Sequence, residues 1–226
     1  SDYIAIQKIA NKYSLKIIED AAQGFGGAII DEYGKEQRAG SFGDIATTSF
    51  FPAKPLGCYG DGGAIFTNND KYAELIKSYR VHGKGSDKYD NVRIGMNSRL
   101  DTIQAAILIE KLAEFPTELV SRNRAAKAYD AELSTTYITP QVPDGYFSSW
   151  AQYSLLSDRR EEDMQHFKKR GIPTMVYYAK CMHQQTAFIG LGYKEGDFPV
   201  AEKISKNIFS VPMHGYLKKG GEGGGL

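Results

Sequence analysis

The sequence predicts an α/β protein, with a mostly parallel sheet flanked by helices and a smaller α+β part behind it. Three observations carry that expectation. Residues 3–13 place Ile4, Ile6, Ile9 and Ala10 at near-helical spacing with no Gly or Pro among them, and an apolar, β-branched run follows at once over residues 15–20. That run ends on Glu19 and Asp20 and opens into Gln23-Gly24-Phe25-Gly26-Gly27. Helix, short link, buried strand and glycine loop, in that order, belong to layered folds in which ligands collect at the carboxyl ends of strands. After Pro116, shorter strand signals alternate with more charged helices, as in a smaller α+β unit.

The remaining elements follow in order. Residues 31–44 are polar and carry Gly34 and Gly40, which reads as a surface hairpin or loop. Residues 45–51 form the second strand, stopped by Pro52, and residues 64–67 a third. Asn68-Asn69-Asp70 supplies the N-cap of a helix reaching about Arg80, and residues 81–93 form a polar, exposed loop. Residues 101–115 are strongly helix-forming and apolar on more than one face, so this helix is expected to pack between layers or against another subunit and to stop at Pro116. A second, more charged helix over 117–133 connects to the smaller domain. Pro140 and Pro143 mark a linker, residues 150–156 a strand, 161–170 an exposed helix and 172–178 another strand. The expected domains are therefore a large one over 1–116, the connector and small one over 117–219, and a glycine-rich tail over 220–226 that packs no core.

Composition narrows the function classes. With 226 residues, 42% of them hydrophobic, the chain can bury a sizeable core. A formal net charge of +1 and no long Lys/Arg run give no electrostatic ground for a nucleic-acid or anionic-membrane partner. Cys58 and Cys181 lie far apart with no Cys-x-x-Cys pair, so neither a metal site nor a disulfide framework is indicated. No apolar run approaches the roughly 20 residues that span a bilayer, and Ser1-Asp2-Tyr3 lacks a signal pattern, so the expected home is the cytoplasm.

The chemistry centres on residues 48–64. An apolar strand is stopped by Pro52, presents one lysine, Lys54, and runs into Gly57, Gly60, Gly62 and Gly63, where the backbone must turn tightly or approach something closely. An arbitrary lysine is most often a solvated surface charge. Here the apolar and aromatic flanks are expected to disfavour the charged form and leave an amine able to attack a carbonyl. Asp20 reads on its own as a loop or cap acid. Together with Lys54 and the Ser49 hydroxyl it supplies the parts of a pyridoxal phosphate site: a carboxylate for the pyridine nitrogen, a lysine for the imine, and hydroxyl and backbone N–H groups for the phosphate. Gln23, three residues past Asp20, is placed to reach the ring's phenolic oxygen. Plainer readings stand beside other candidates. His183, near Met182 and Phe188, serves either substrate or structure. Tyr177 and Tyr178 are divided between core and site by strand alternation. Cys58 is a small buried hydrophobe, and Arg99 meets either substrate or Asp101.

The stretches Glu19-Asp20-Ala21-Ala22-Gln23, Ser49-Phe50-Phe51-Pro52-Ala53-Lys54-Pro55-Leu56-Gly57, Tyr59-Gly60-Asp61-Gly62-Gly63-Ala64 and Gly95-Met96-Asn97-Ser98-Arg99-Leu100-Asp101 resemble the DegT/DnrJ/EryC1/StrS family of nucleotide-sugar aminotransferases. The likeness continues through Gly171-Ile172-Pro173-Thr174, Tyr177-Tyr178, His183, Phe198-Pro199-Val200-Ala201-Glu202 and Val211-Pro212-Met213-His214. The resemblance implies a fold-type I pyridoxal phosphate enzyme working as a homodimer, with active sites at the subunit interface. It implies Lys54 as the Schiff-base lysine and proton carrier, Asp20 on the pyridinium nitrogen, Gln23 at the ring oxygen and Ser49 on the phosphate. Asn97 would reach the phosphate of the neighbouring subunit's cofactor, with Arg99, His183 and Tyr178 at the substrate. Family dehydratases carry histidine in place of the lysine, so Lys54 favours transamination.

The reaction so implied has two halves: an amino donor, glutamate, loads the cofactor as pyridoxamine phosphate, and a nucleotide-linked keto-sugar takes the amine. Residues 50–64 and 97–112 most resemble enzymes that aminate the 3-keto group of a UDP-linked N-acetylated hexuronic acid in O-antigen synthesis, with a dTDP- or UDP-linked keto-deoxysugar as the alternative. Family members carry a further section before the Asp-bearing strand, including the turn that grips the phosphate, so the expectation is a fragment lacking that part of the large domain. A pyridoxal-fold module that binds without catalysis is the reading of a different class. A Schiff-base aldolase is weaker, since it needs neither Asp20 nor Asn97.

Overall fold

A computed structural model describes residues 1–31 and 33–217, and the glycine-rich stretch 220–226 lies outside the described residues. The chain divides into two compact units, one made of Ser1–Pro116 with Pro143–Ser149, the other of Thr117–Val142 with the described residues from Trp150 on.

The first unit opens with helix α1 (Tyr3–Tyr13), capped by the Asp2 carboxylate on the Ala5 N–H at 2.9 Å and ended by Ser14 in the left-handed region. Strand β1 (Ile18–Asp20) follows, then the antiparallel hairpin β2 (Ala28–Ile30) and β3 (Glu36–Arg38), then β4 (Ile45–Ser49) and β5 (Gly63–Phe66). β4 sits between β1, which is parallel to it, and β5, which is antiparallel. The α/β class holds, yet among the described residues only the β1–β4 pair is parallel. The connections explain the difference. From β1 to β4 the chain has 24 residues, ample for a crossover, whereas β4 and β5 are joined by the loop 50–62, which turns the chain back alongside β4. Phe25 stacks on Phe66 and Phe115 at ring separations of 6.1 and 5.8 Å, joining the sheet to the first half of helix α3. Helix α2 (Asp70–Arg80) is capped by Asn69 on the Tyr72 N–H, as its sequence requires.

β1 departs from the buried, apolar strand expected of residues 15–20. Ile18 is 74% exposed and Glu19 only 1%. The Glu19 carboxylate accepts N–H groups from Gly40, Phe42 and Gly43 at 2.7, 2.8 and 3.4 Å, so the loop between β3 and β4 supplies the donors that let a charge enter the interior.

α3 (Thr102–Leu133) corrects a second expectation: it runs unbroken through Pro116. Proline in a helix interior forfeits one hydrogen bond and clashes with the turn before it, at a cost of about 3 kcal/mol. Phe115 and Leu119, 5% and 6% exposed, bury their side chains on either side of it, and burial at roughly 1.5–3 kcal/mol each offsets that cost.

In the second unit β7 (Tyr153–Leu156) pairs antiparallel with β8 (Ile208–Val211), beside α4 (Arg160–Lys169) and α5 (Pro199–Asn207). β6 (Tyr146–Phe147) belongs to the first unit, antiparallel to β2. The core of the second unit gathers Ala126, Tyr129, Trp150, Tyr153, Leu155 and Phe209. Burial pushes the Tyr129 phenol up to about 12, and its hydroxyl donates to the Pro212 carbonyl at 2.8 Å. The strand expected over 172–178 reduces to a single bridge, Met175 to Ser210. Pro173 removes a ladder donor and Tyr178 has φ 57°, and a strand survives neither. Tyr177 and Tyr178 are consequently both exposed, at 41% and 71%, and are not divided between core and surface. Among the described residues no helix is long and apolar enough to cross a membrane, and no three His, Cys, Asp or Glu side chains group as metal ligands.

Candidate active site

Asp20 stands in register with Thr47, two residues before Ser49. Because β1 and β4 are parallel, their carboxyl ends lie along the same edge of the sheet. The link tightens past the strands, where the Ala21 N–H donates to the Thr47 carbonyl at 2.8 Å and the Thr48 hydroxyl to the Ala21 carbonyl at 3.3 Å. Asp20 is exposed, and one carboxylate oxygen accepts the Ala22 N–H at 3.0 Å. This local turn is the plain reading of the residue, and it leaves a carboxylate with further acceptor capacity. Gln23 follows on the same exposed loop, its carbonyl accepting the Ser149 hydroxyl at 3.4 Å. Tyr3, on α1, has its phenol pushed up by burial and then by the negative charges of Glu19 and Asp20.

From Ser49 the chain makes the turn that carries Lys54. The Ser49 hydroxyl accepts the Phe51 N–H at 3.2 Å. Phe50 is fixed from two sides: its N–H donates to the Gly62 carbonyl at 2.8 Å, and its carbonyl takes the Cys58 N–H at 2.8 Å and the Cys58 thiol at 2.9 Å. Cys58 is fully buried, the small hydrophobe expected. The Lys54 N–H closes the turn on the Phe51 carbonyl at 2.9 Å. Glycine at 57 and 63 has a direct cause: an added Cβ would stand 2.6 Å from the Pro52 carbonyl oxygen at one and 2.7 Å from that of Thr48 at the other. The Lys54 side chain is half-buried, followed by four buried residues, and among the described residues its amine has no hydrogen-bond or ion-pair partner. A lysine so placed is available to a ligand.

Asn97 and Arg99 follow α2 in the same unit. Asn97 forms a bridge with Val81, and its side-chain oxygen accepts the Arg99 Nε–H at 3.0 Å, so Arg99 pairs with Asn97 and not with Asp101. Both are exposed. Tyr178 and His183 lie in the second unit. His183 is built into its surroundings: its Nε2 is 3.0 Å from Glu202 Oε1, both side chains are 8% exposed, and the Phe198 ring packs at 4.7 Å. The Glu202 carboxylate also accepts the Gly196 and Phe198 N–H groups at 2.9 and 3.3 Å. Those backbone donors first, then the histidine, hold its pKa below the ordinary glutamate value. The register thus brings the Asp20 end of β1 and the Ser49 end of β4 to one sheet edge, with Gln23 on the loop after the first and Lys54 on the turn after the second, while Asn97 and Arg99 adjoin each other elsewhere in that unit.

Three residues of this surround escape sequence reasoning. Glu19 carries a misleading signal, since hydropathy favours Ile18 as the inward residue. Gln104 and Lys111 on α3 bond to the Lys54 turn, and a helix pattern gives no hint of either contact.

The family profile of the DegT/DnrJ/EryC1/StrS aminotransferases matches residues 1–221. The chain belongs to that family. A UDP-2-acetamido-2-deoxy-3-oxo-D-glucuronate aminotransferase of Pseudomonas aeruginosa is 43% identical over 218 residues, covering 96% of this chain and 58% of that protein. The crystal structure of a DegT DnrJ EryC1 StrS aminotransferase from Brucella abortus superposes with a TM-score of 0.89 at 47% identity, covering 97% of this chain and 57% of that one. NtdA from Bacillus subtilis, solved with the cofactor PMP bound, gives a TM-score of 0.81 at 29% identity over 95% of this chain and 49% of its own. The chain therefore spans less than three-fifths of the length of these family members, and its fold is that of the fold-type I family expected from the sequence.

Proposed function

We propose that the protein is an aminotransferase that uses pyridoxal phosphate to move an amino group from glutamate to the keto group of a nucleotide-linked sugar. The observation that carries this reading is the Lys54 turn: a half-buried lysine whose amine has no partner among the described residues, on a backbone fixed by Phe50, Cys58 and Gly62 and following β4, the strand paired with the one that ends on Asp20. The donor set suits the cofactor. Asp20 offers a carboxylate with spare acceptor capacity to a protonated ring nitrogen, Gln23 adjoins it, and Ser49 offers a hydroxyl to phosphate. When bound, the cofactor supplies an electron sink and carries the amino group between donor and acceptor. Lys54 anchors the cofactor's aldehyde and, once released, moves the proton between its own Nζ and the substrate carbon.

The finer reading takes a UDP-linked 3-keto N-acetyl hexuronic acid as the acceptor, as the name of the P. aeruginosa relative suggests, and surface-polysaccharide or O-antigen synthesis in the cytoplasm as the setting. We further propose a homodimer with shared sites, in which Asn97 and Arg99 serve the neighbouring subunit's cofactor and substrate. Their exposure, with Ile94 99% and Met96 64% exposed just before them, supports that placement. Tyr178 and His183 are assigned to the sugar side.

The test is the visible spectrum of the purified chain with added pyridoxal phosphate, before and after borohydride, beside Lys54→Ala. A covalent adduct mapped to Lys54 and lost in the alanine variant is expected. Glutamate with the UDP-linked 3-keto hexuronic acid should then yield amino sugar faster than with a dTDP-linked keto-deoxysugar. A folded chain that forms no adduct refutes the reading and leaves a binding module in its place.

A further inference from the structure

We infer that Gln104 and Lys111 of α3 are positioning residues for Lys54, a role that rests on the cofactor reading above. The Lys54 turn is held on its inner side by the Cys58 thiol, whose one S–H is shared between the Phe50 and Gly60 carbonyls, 2.9 and 3.1 Å from the sulfur. Its outer side is different. Tyr59 is 75% exposed, and its backbone N–H is taken by the side-chain oxygen of Gln104 at 2.8 Å. Gln104 also lies close against Gly60, where an added Cβ would stand 3.0 Å from its Nε2. One helical stretch further on, the Lys111 ammonium donates to the Gly57 carbonyl and stands 5.6 Å over the Tyr59 ring.

These contacts fix the segment C-terminal to Lys54 at three successive points, Gly57, Tyr59 and Gly60, and all come from one helix. α3 also follows directly on the stretch carrying Asn97 and Arg99: the Ala105 N–H donates to the Asp101 carbonyl at 3.0 Å, and Leu100 Cδ1 lies 3.0 Å from where a Cβ on Gly62 would be. Gln104 therefore ties the lysine turn to the first turn of the helix that this segment leads into. A side chain on a surface turn has many rotamers and backbone states. Clamping the turn from a rigid helix leaves Lys54 fewer of them and presents its amine in one place. Neither Gln104 nor Lys111 touches the reacting atoms.

The experiment uses the full chain with Gln104→Ala, Gln104→Glu and Lys111→Met. Hydrogen exchange of residues 55–63 is read by mass spectrometry, and the affinity for pyridoxal phosphate by the borohydride-fixable adduct at Lys54. Losing one acceptor predicts about tenfold faster exchange of the Tyr59 amide and a similar loss of cofactor affinity in Gln104→Ala. Alanine favours the helix, so the variant should fold with unchanged circular dichroism. Gln104→Glu, which keeps the acceptor, should restore both readouts, and Lys111→Met should move both in the same direction as alanine at 104. Adduct formation and exchange in Gln104→Ala and Lys111→Met equal to wild type would overturn the inference, as would a Gln104→Glu variant as impaired as Gln104→Ala. If wild type itself forms no adduct at Lys54, the cofactor reading fails and this inference falls with it, an outcome told apart by the wild-type sample alone.

Discussion

Removing the buried carboxylate of Glu19 tests whether the strand that presents Asp20 is held by charge or by packing. Three backbone N–H groups point at this side chain, two of them at 2.7 and 2.8 Å and the third at 3.4 Å. A donor deprived of its acceptor in a protein interior costs about 1–3 kcal/mol. Gly40, Phe42 and Gly43 are only half-buried, so water reaches them in part and the lower half of that range applies. Glu19→Gln keeps the shape and one oxygen but turns the other into a donor facing a donor, which predicts a loss of about 2 kcal/mol. Glu19→Ala deprives both well-made bonds and opens a cavity, which predicts about 3–4 kcal/mol. At roughly 2–4 °C per kcal/mol for a chain of this size, Glu19→Gln should melt about 4–8 °C lower. Two compact units need not unfold together, so the decisive assay is local: native-state hydrogen exchange of residues 40–43, which should lose protection in step with stability. A Glu19→Gln variant with wild-type protection there and an unchanged melting temperature would show that the carboxylate's charge and acceptors contribute nothing, and would refute the reasoning.

Two further predictions concern the connecting helix and the second unit. Pro116 is exposed in the middle of a continuous helix, so Pro116→Ala should restore one hydrogen bond and raise stability by about 1–3 kcal/mol in urea unfolding; a loss of stability would mean that the helix needs its proline. Glu202 is held below the ordinary glutamate value of 4.5 by the Gly196 and Phe198 N–H groups and by His183. Its folded-state pKa being the lower one, the stability it adds is present above 4.5 and is lost as pH falls from 4.5 through the folded value. Near-ultraviolet circular dichroism of the Tyr193–Phe198 cluster should therefore decline over that window in wild type, and Glu202→Gln should remove the acid-dependent part. A variant with the same acid profile as wild type would place the transition elsewhere.

What the sequence determined by itself was local in origin. The helix over 3–13, the Asn69 cap, the hairpin after the first strand and the lysine-bearing turn each rest on residues a few positions apart, where periodicity, caps and glycine act directly. The same locality made each candidate legible in its own stretch, since Asp20 ends β1, Ser49 ends β4 and Lys54 lies on the turn that follows β4. Tertiary structure decided what depends on distant partners. It turned Glu19 inward and Ile18 outward, because the loop at 40–43 supplies donors that hydropathy cannot register. It carried α3 through Pro116, where burial of Phe115 and Leu119 outweighs a local rule. It dissolved the strand expected at 172–178, paired Arg99 with Asn97 and seated His183 on Glu202. Gln104 and Lys111 meet the Lys54 turn from 45 and 54 residues away in the chain. A hydrogen bond over that separation exists only once the fold has closed, so only the closed fold discloses it.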